Sequence, residues 1–447
     1  MATYHPDLLA RAVPRYTSYP TAAEFHDGVG AGAQAAALAA VAPGTPVSLY
    51  VHIPYCHEIC WYCGCNTGAI GRPDRLTHYL DALTQEIDAV AARLRGEVVA
   101  IHFGGGSPNA LPPGDFIALS QHLQARFECV AQLEIAAELD PRTLDRDYAA
   151  GLAAAGVTRA SLGVQTFAED VQRGINRIQP YAMVAQAVAD LRGAGIAAIN
   201  FDLLYGLPGQ SARDVAQTIA ATLALAPDRV AMFGYAHMPR LLPRQRMIDQ
   251  AALPDIPARF AQSVLAAQLL TDAGYVAIGF DHFATPTDGL AIAAAKGKLR
   301  RNFQGFTDER ADAIIGLGAS AISHYDGLLV QNEKHVGRYR LRAGSTGLAG
   351  ARGVLRTDAD RLRATVIERL MCDGGVDMAA LARAAGGTPA ELADALPALQ
   401  ALAARGLIRL SGWRIAILPE GRAYARLVAS AFDTYRPSSA GRFSLAG

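Results

Sequence analysis

The 447-residue chain lacks net charge: Lys and Arg total 41, and Asp and Glu total 41. No global field draws it onto nucleic acid or an anionic membrane surface, so neither is expected as a partner. A polyanionic ligand must therefore be met by a local cluster of cations. Long apolar runs are also absent, and none approaches the roughly 18 residues of a membrane span. Residues 1–30 lack the basic, apolar and cleavage regions of a secretory signal, which makes the cytoplasm the expected compartment. Charged residues make up only 18% against 51% hydrophobic ones, which excludes disorder as the overall state. Cysteine is sparse except in one place. Of the six, Cys129 and Cys372 stand alone, whereas Cys56, Cys60, Cys63 and Cys65 fall within ten residues. In a reducing compartment such crowding argues for metal ligation. Two adjacent disulfides in so short a loop would be badly strained.

The length is ample for a large α/β barrel with appended parts. Short apolar runs at Ser48–Ile53, Val98–Phe103, Leu133–Glu138, Arg159–Val164, Ala198–Leu204 and Arg229–Tyr235 read as strands. Helical patterns separate them at Asp74–Arg95, Pro113–Phe127, Thr143–Ala155, Pro180–Gly195 and Ser211–Ala226. Six such units predict a curved parallel sheet, a partial (β/α)6 barrel of the TIM type. Ahead of it, Pro14-Arg-Tyr-Thr-Ser-Tyr-Pro20 predicts an extended arm with exposed aromatic and cationic groups. Beyond Tyr235, the helical stretch Ile256–Gly274, the loop-rich Asp281–Phe283 and Arg301–Phe306, and the Gly/Ala-rich run Ile315–Ser323 are expected to cover the barrel. Gly344–Arg352 reads as a linker. Three helices and a hairpin around Ser411-Gly412 follow, an order that resembles a winged helix. The expected organisation is an arm over the site at 1–45, a core at 46–240, a barrel-completing and substrate-covering region at 241–345, and a mostly helical domain at 346–447.

Tyr50-Val-His-Ile-Pro-Tyr-Cys56-His-Glu-Ile-Cys60-Trp-Tyr-Cys63-Gly-Cys65-Asn66 follows the first strand, so its cysteines sit on the loop at that strand's C-terminal end. The C-x3-C-x2-C spacing lets three thiolates wrap one corner of a cube-like cluster. Iron–sulfur clusters normally take four cysteines, so three would leave one iron open, as a reactive site requires. Trp61 and Tyr62 would shield it from water. Two other readings stay open on spacing alone: a structural zinc site on the same thiolates, and a sealed cluster with Cys65 as fourth ligand. Gly104-Gly-Gly106-Ser107-Pro108 ends the next strand, where bare backbone can approach a ligand. It has neither the spacing of a dinucleotide fingerprint nor the Lys of a phosphate loop.

Together with Glu138-Leu-Asp-Pro141, Gly163-Val-Gln165, Asp202-Leu-Leu-Tyr-Gly-Leu-Pro208 and Tyr235-Ala-His-Met-Pro239, these segments resemble the radical S-adenosylmethionine superfamily. More narrowly they resemble the oxygen-independent coproporphyrinogen III oxidases, from Pro14 through Arg338 in order and less closely to Phe432-Asp-Thr-Tyr435. Phe103 stands where Trp is frequent in that family and Ser107 where Thr is, and both preserve size class or hydroxyl. The resemblance implies a [4Fe-4S] cluster on Cys56, Cys60 and Cys63, with S-adenosylmethionine on the open iron. It implies a 5′-deoxyadenosyl radical that takes hydrogen from the β-carbon of a propionate, after which carbon dioxide leaves and a vinyl group remains. Two such events turn coproporphyrinogen III into protoporphyrinogen IX in porphyrin and haem biosynthesis.

The same resemblance implies two S-adenosylmethionine molecules. The first falls to Tyr50, Gly105, Glu138 and Ile322, the second to Tyr62, Gly106, Ser107, Gln165, Arg177, Asp202 and Ala236. These residue types have the right chemistry, since carboxylates accept from hydroxyl or ammonium groups and Arg pairs with a carboxylate. Singly, each is more simply a cap or a sheet-end hydrogen bond. Cys65 is implied to lie off the cluster but near the substrate, with a part in electron or proton handling; otherwise it is an inert packed thiol. Arg15, Arg240, Arg300 and Arg301 are the candidate cations for the propionates of the tetrapyrrole. A low-potential donor of flavodoxin or ferredoxin type and a monomeric chain are expected. Two rivals remain, a haem chaperone of the same superfamily and a related enzyme that methylates or opens a tetrapyrrole. The chaperones tend to read C-x3-C-x-Y-C-D-F, and Gly64-Cys65-Asn66 after Cys63 departs from that.

Overall fold

Each expected βα unit is present in the computed structural model, which describes residues 3–72 and 74–436; the outer ends of the expected arm and C-terminal domain, 1–2 and 437–447, lie outside the described residues. The strands are β1 (Pro46–Ile53), β2 (Glu97–Gly105), β3 (Cys129–Leu139), β4 (Arg159–Gln165), β5 (Ala198–Tyr205) and β6 (Arg229–Gly234). They pair in parallel and in sequence order. That order follows because each crossover helix returns the chain to the adjacent free edge. Val47, Leu49, Val51, Ile101, Phe201 and Leu203 are fully buried, so the strands read as apolar runs with few polar interruptions.

The sheet runs well beyond six strands. Hairpin β7 (Val276–Ile278) and β8 (His282–Ala284) extends it past β6. On the other side β9 (Ala313–Leu317) pairs in parallel with β1, followed by β10 (Ile322–Tyr325), β11 (Leu328–Asn332) and β12 (Gly350–Leu355). Three expectations are corrected here. Asp281–Phe283 is largely strand, and Ile315–Ser323 supplies parts of β9 and β10 instead of a cover. Gly344–Arg352 is no linker: it ends a helix and enters the edge strand, where a Cβ on Gly350 would lie 2.7 Å from the Gln34 amide oxygen and 3.2 Å from the Ala31 backbone nitrogen.

The arm also differs. Tyr16 and Tyr19 are buried, not exposed, and with Leu8, Leu9 and Val13 they join the core of the C-terminal region beside Val366, Leu370, Leu399 and Phe432. Their hydroxyls meet Asp433 at 2.9 Å and Thr434 at 3.0 Å. Amphipathic tyrosines can pack their rings once those hydroxyls find partners. The C-terminal region has the helices Asp358–Asp373, Met378–Ala384 and Leu396–Ala404 and a three-stranded sheet from Gly375–Asp377, Ile408–Ser411 and Arg414–Ile417, the expected winged-helix order.

One buried acid braces the sheet behind the cysteine loop. Glu86, on the helix Asp74–Ala91, accepts from the Gly318 N–H, the Tyr339 hydroxyl and the Asn332 amide, each at 2.7 Å. Burial pushes its carboxyl up to about 7 against those three donors. An unfolded carboxyl near 4.5 ionises first as pH rises, so this contribution to stability is complete below about 4.5 and lost as pH passes about 7. The difference corresponds to roughly 3 kcal/mol. Thermal unfolding of wild type and Glu86→Gln across that range should show the wild-type stability falling relative to the variant. A parallel pair of profiles would refute the assignment.

Candidate active site at the sheet mouth

Strand register lines up the sequence-predicted residues along one rim. Tyr50 faces His102 across β1 and β2, and Ile53 faces Gly105; Glu138 faces Ser161 across β3 and β4, and Gly163 faces Asp202 across β4 and β5. The rim is the C-terminal edge of the parallel strands, where βα loops build ligand sites. A cavity of about 390 Å³ opens there, bordered by Cys56, Cys60, Cys63 and Cys65 on one side and by Gly105, Gly106, Ser107, Glu138, Gln165, Arg177, Asp202, Tyr62 and Ala236 on the other.

The glycine turn is shaped by close approach. Gly105 has φ +110°, and a Cβ there would lie 2.5 Å from the His52 imidazole. A Cβ on Gly106 would lie 2.5 Å from the Tyr55 carbonyl oxygen and the Thr67 hydroxyl. The turn is tied to the cysteine loop by Gly106 N–H to Ile53 O and Ser107 N–H to Tyr55 O, both 2.8 Å. His52 holds the loop's far end through the Asn66 carbonyl at 3.0 Å and meets the Tyr50 hydroxyl at 3.1 Å.

Charge at the rim is arranged by partners. Burial alone would raise Glu138, but His102 at 3.0 Å and the Gly105 N–H at 3.3 Å hold it below the usual carboxylate range. Asp202 is pushed up by burial and by Glu138, while Ser161 and Asn200 donate to it. The Cys65 hydrogen bond brings the Cys63 thiol down to about 6 against burial, whereas burial lifts Cys56 to about 11. Cys60 receives N–H donors from Arg177 at 3.3 Å and Arg142 at 3.5 Å. Four cysteine sulfurs lining one cavity beside two guanidinium groups and a bare-backbone turn form a soft, charge-compensated donor set. That set fits an iron–sulfur cluster.

Comparison with known proteins agrees with this geometry. The Radical SAM superfamily model matches residues 50–221, and the HemN C-terminal domain model matches residues 357–424. The oxygen-independent coproporphyrinogen III oxidase of Bradyrhizobium diazoefficiens is 46% identical over 425 residues, covering 95% of this chain and 94% of its own. The Escherichia coli protein of the same name is 39% identical over 426 residues, covering 94% of this chain and 93% of its own. The solved coproporphyrinogen III oxidase HemN from Escherichia coli, described as a radical SAM enzyme, aligns with a TM-score of 0.91 at 38% identity, over 94% of this chain and 97% of that one. The chain belongs to the oxygen-independent coproporphyrinogen III oxidase family. As a radical S-adenosylmethionine enzyme of this family it uses a [4Fe-4S] cluster and S-adenosylmethionine, and the zinc reading of the cysteine spacing gives way.

Two predicted cofactor residues, Tyr50 and Ile322, do not line the cavity, and two that do line it, Arg177 and Ser107, already have partners. Tyr50 lies just behind Glu138, its ring stacked 6.0 Å from His102. Ile322 packs instead beside Phe25, Leu329 and Val354. Arg177 is already engaged, donating to the Gly163 carbonyl at 2.6 Å and to Asp140 at 3.3 Å, and the Ser107 hydroxyl is taken by Asn109 at 2.6 Å. Among the candidate arginines only Arg15 borders the cavity, its Nη2 donating to Gly234 O at 3.0 Å. Arg240 is exposed and does not line the cavity. Arg300 pairs with Glu368 at 3.0 Å. Arg301 lies over Phe306 and donates to the Arg15 carbonyl at 3.1 Å, so it positions the arm.

Sequence reasoning missed the residues that fasten the loop. Arg142, paired with Asp140 at 2.6 Å, donates to the Cys60 sulfur at 3.5 Å, and Gln245 donates to both Tyr62 O at 2.8 Å and Ala236 O at 3.1 Å. Asp140 stands inside the Glu138–Pro141 motif, which is a signal that could have found it. Gln245 carries no local signal.

Proposed function

We propose that this chain oxidatively decarboxylates two propionate side chains of coproporphyrinogen III to vinyl groups, giving protoporphyrinogen IX. The observation that carries this reading is that two neighbouring cavities share a wall. The cysteine-lined space shares Arg15, Phe233, Gly234, Tyr235 and Ala236 with a second, larger chamber of about 470 Å³ under the arm and the C-terminal region. A macrocycle in the second chamber can thus present one side chain to the first.

In this proposal Cys56, Cys60 and Cys63 hold the cluster, and two S-adenosylmethionine molecules lie along the rim, the first by Gly105 and Glu138, the second by Tyr62, Gly106, Gln165 and Asp202. When bound, these groups supply hydrogen-atom abstraction at the propionate β-carbon, after which carbon dioxide leaves and one electron passes to an acceptor. Glu138, held ionised by His102, can accept from an ammonium or ribose hydroxyl. Trp61 and Tyr62 pack with Ile175, Leu204 and Tyr235 and limit water at the cysteines. In the same proposal the arm at 1–45 lies over the site, 46–240 forms the core, 241–345 completes the barrel and covers the substrate, and 346–447 is the C-terminal domain. A low-potential donor of flavodoxin or ferredoxin type, a monomeric chain and a cytoplasmic setting complete the proposal. Among the described residues no helix is long and apolar enough to cross a membrane.

The test is anaerobic incubation of the reconstituted chain with coproporphyrinogen III, S-adenosylmethionine and a low-potential reductant. Two carbon dioxide molecules per macrocycle are expected, with 5′-deoxyadenosine and methionine formed in step. Tight haem binding without carbon dioxide release would replace this reading with a chaperone. Methyl transfer or ring opening would replace it with another tetrapyrrole chemistry.

A further inference from the structure

The chain is neutral as a whole, but the segment 239–247 beside the cysteine loop holds three arginines, Arg240, Arg244 and Arg246, and no acid. Arg240 and Arg246 are exposed, and so are the apolar side chains between and after them, Leu241 at 59% and Met247 at 60%. Among the described residues none of the three guanidinium groups meets a carboxylate: Arg244 donates to the Thr67 carbonyl at 2.7 Å and Arg246 to the Pro239 carbonyl at 3.4 Å. The acids of the loop and of the segment's end are engaged elsewhere. Glu58 pairs with Arg142 at 2.9 Å, and Asp249 accepts from the Ala251 N–H at 2.9 Å. A lone exposed arginine is an ordinary solvated group. Arginines interleaved with exposed Leu and Met have the composition of a docking surface, where Arg and Met are enriched.

This segment is fastened to the cysteine loop at three points. Gln245, buried in the turn Pro243–Met247, donates to the Tyr62 carbonyl at 2.8 Å, next to Cys63. Leu242 reaches Gly64, where a Cβ would lie 3.6 Å from its Cδ1. Arg244 holds the Thr67 carbonyl, and the Thr67 hydroxyl lies 3.3 Å from the Cys56 sulfur. The basic face therefore rides on the backbone that carries two of the three proposed cluster ligands. A donor that recharges a cluster there has to come close to the cysteines from outside. Redox encounters are small and transient, so a compact patch suffices. Charge of one sign beside the point of entry steers a partner of the other sign onto it.

We propose that Arg240, Leu241, Arg246 and Met247, anchored through Arg244 and Gln245, form the docking surface for an acidic low-potential electron-transfer protein that hands one electron to the cluster held by the neighbouring cysteines. This rests on the functional reading above and adds the partner's place and charge to it. In the step the donor's flavin or iron–sulfur centre is oxidised by one electron and the oxidised cluster is reduced by one; no bond forms or breaks, and no proton moves. The partner's acidity follows from three cations that no carboxylate of this chain answers. Salt dependence follows too, since exposed charges are screened over about 10 Å at 0.1 M ionic strength.

The test is anaerobic rapid mixing of the reconstituted chain with a photoreduced acidic flavodoxin, cluster reduction being followed by absorbance and electron paramagnetic resonance. Dithionite serves in parallel as a small reductant that needs no docking surface. Reduction by the flavodoxin should be fast at low salt and slow down as salt rises. Arg240→Glu and Arg246→Glu should each slow it about tenfold or more at low salt, within the range that electrostatic steering supplies. Iron content, melting temperature and reduction by dithionite should stay at wild-type levels, because both side chains are exposed. Arg409→Glu, at an exposed position in the C-terminal sheet, should change nothing. Wild-type flavodoxin rates in both arginine variants, or a wild-type rate indifferent to salt, would overturn the assignment. So would a chain that dithionite reduces but neither the flavodoxin nor an acidic ferredoxin does, and so would self-association of the chain that both variants abolish, which would give the face to a second copy. A chain that is reduced through this face yet releases no carbon dioxide from coproporphyrinogen III would instead overturn the functional reading.

Discussion

A Cys60→Ala chain is expected to emerge from anaerobic reconstitution colourless, without stoichiometric iron, yet folded. Cys60 is nearly buried, and its sulfur receives N–H donors from Arg142 and Arg177. Removing it deletes a thiolate from the donor set, while both arginines keep Asp140 as an acceptor at 2.6 and 3.3 Å. The barrel core does not run through this loop, since the fully buried strand residues lie beneath it. Cys56→Ala and Cys63→Ala should behave alike. Cys65→Ser should keep its iron and lose most turnover, because in the proposed arrangement Cys65 stands off the cluster. Full iron content and colour in Cys60→Ala would remove this residue from the ligand set, and iron loss in Cys65→Ser would favour a sealed four-cysteine cluster.

Gly105→Ala is expected to damage the site from the opposite side. The position has φ +110°, which L side chains rarely adopt, at a cost of about 1–3 kcal/mol. The added methyl would also meet the His52 imidazole at 2.5 Å. His52 cannot give way freely, because it holds Asn66 O and the Tyr50 hydroxyl. The strain therefore passes to the cysteine loop. Calorimetric titration should show S-adenosylmethionine binding weakened by about tenfold or more, equivalent to about 1.4 kcal/mol, with a lowered melting temperature. Gly114→Ala is the control, since no atom lies within 4 Å of its would-be Cβ and the position is helical. Unchanged affinity in Gly105→Ala would mean that the turn does not carry the cofactor.

The six parallel strands, their helices, the winged-helix order and the cysteine loop were legible in the sequence alone. Short apolar runs, helical patterns with stops at Gly and Pro, and thiolate spacing are short-range properties written into neighbouring residues. Strand order follows nearly as directly, since right-handed crossovers leave few alternatives. What lies past Tyr235 was another matter. Val276–Ala284 and Ala313–Leu355 extend the sheet because its edges need hydrogen-bonding partners, a demand that no local pattern in those segments announces. The arm's tyrosines are buried because Asp433 and Thr434, more than 400 residues away, satisfy their hydroxyls. Arg177 gives the sharper contrast. Its residue type pointed to a carboxylate, and the fold supplies one in Asp140 together with the Cys60 sulfur. Among the arginines, sequence proximity to motifs selected Arg240, which is exposed, and Arg300, which pairs with Glu368. Arg259 and Arg426, which no motif marks, line one chamber with Arg15 where the arm, the covering helix and the C-terminal segment meet. Local chemistry is encoded residue by residue, but the meeting of distant cations is decided by packing of buried apolar surface, which is non-directional and leaves no motif behind.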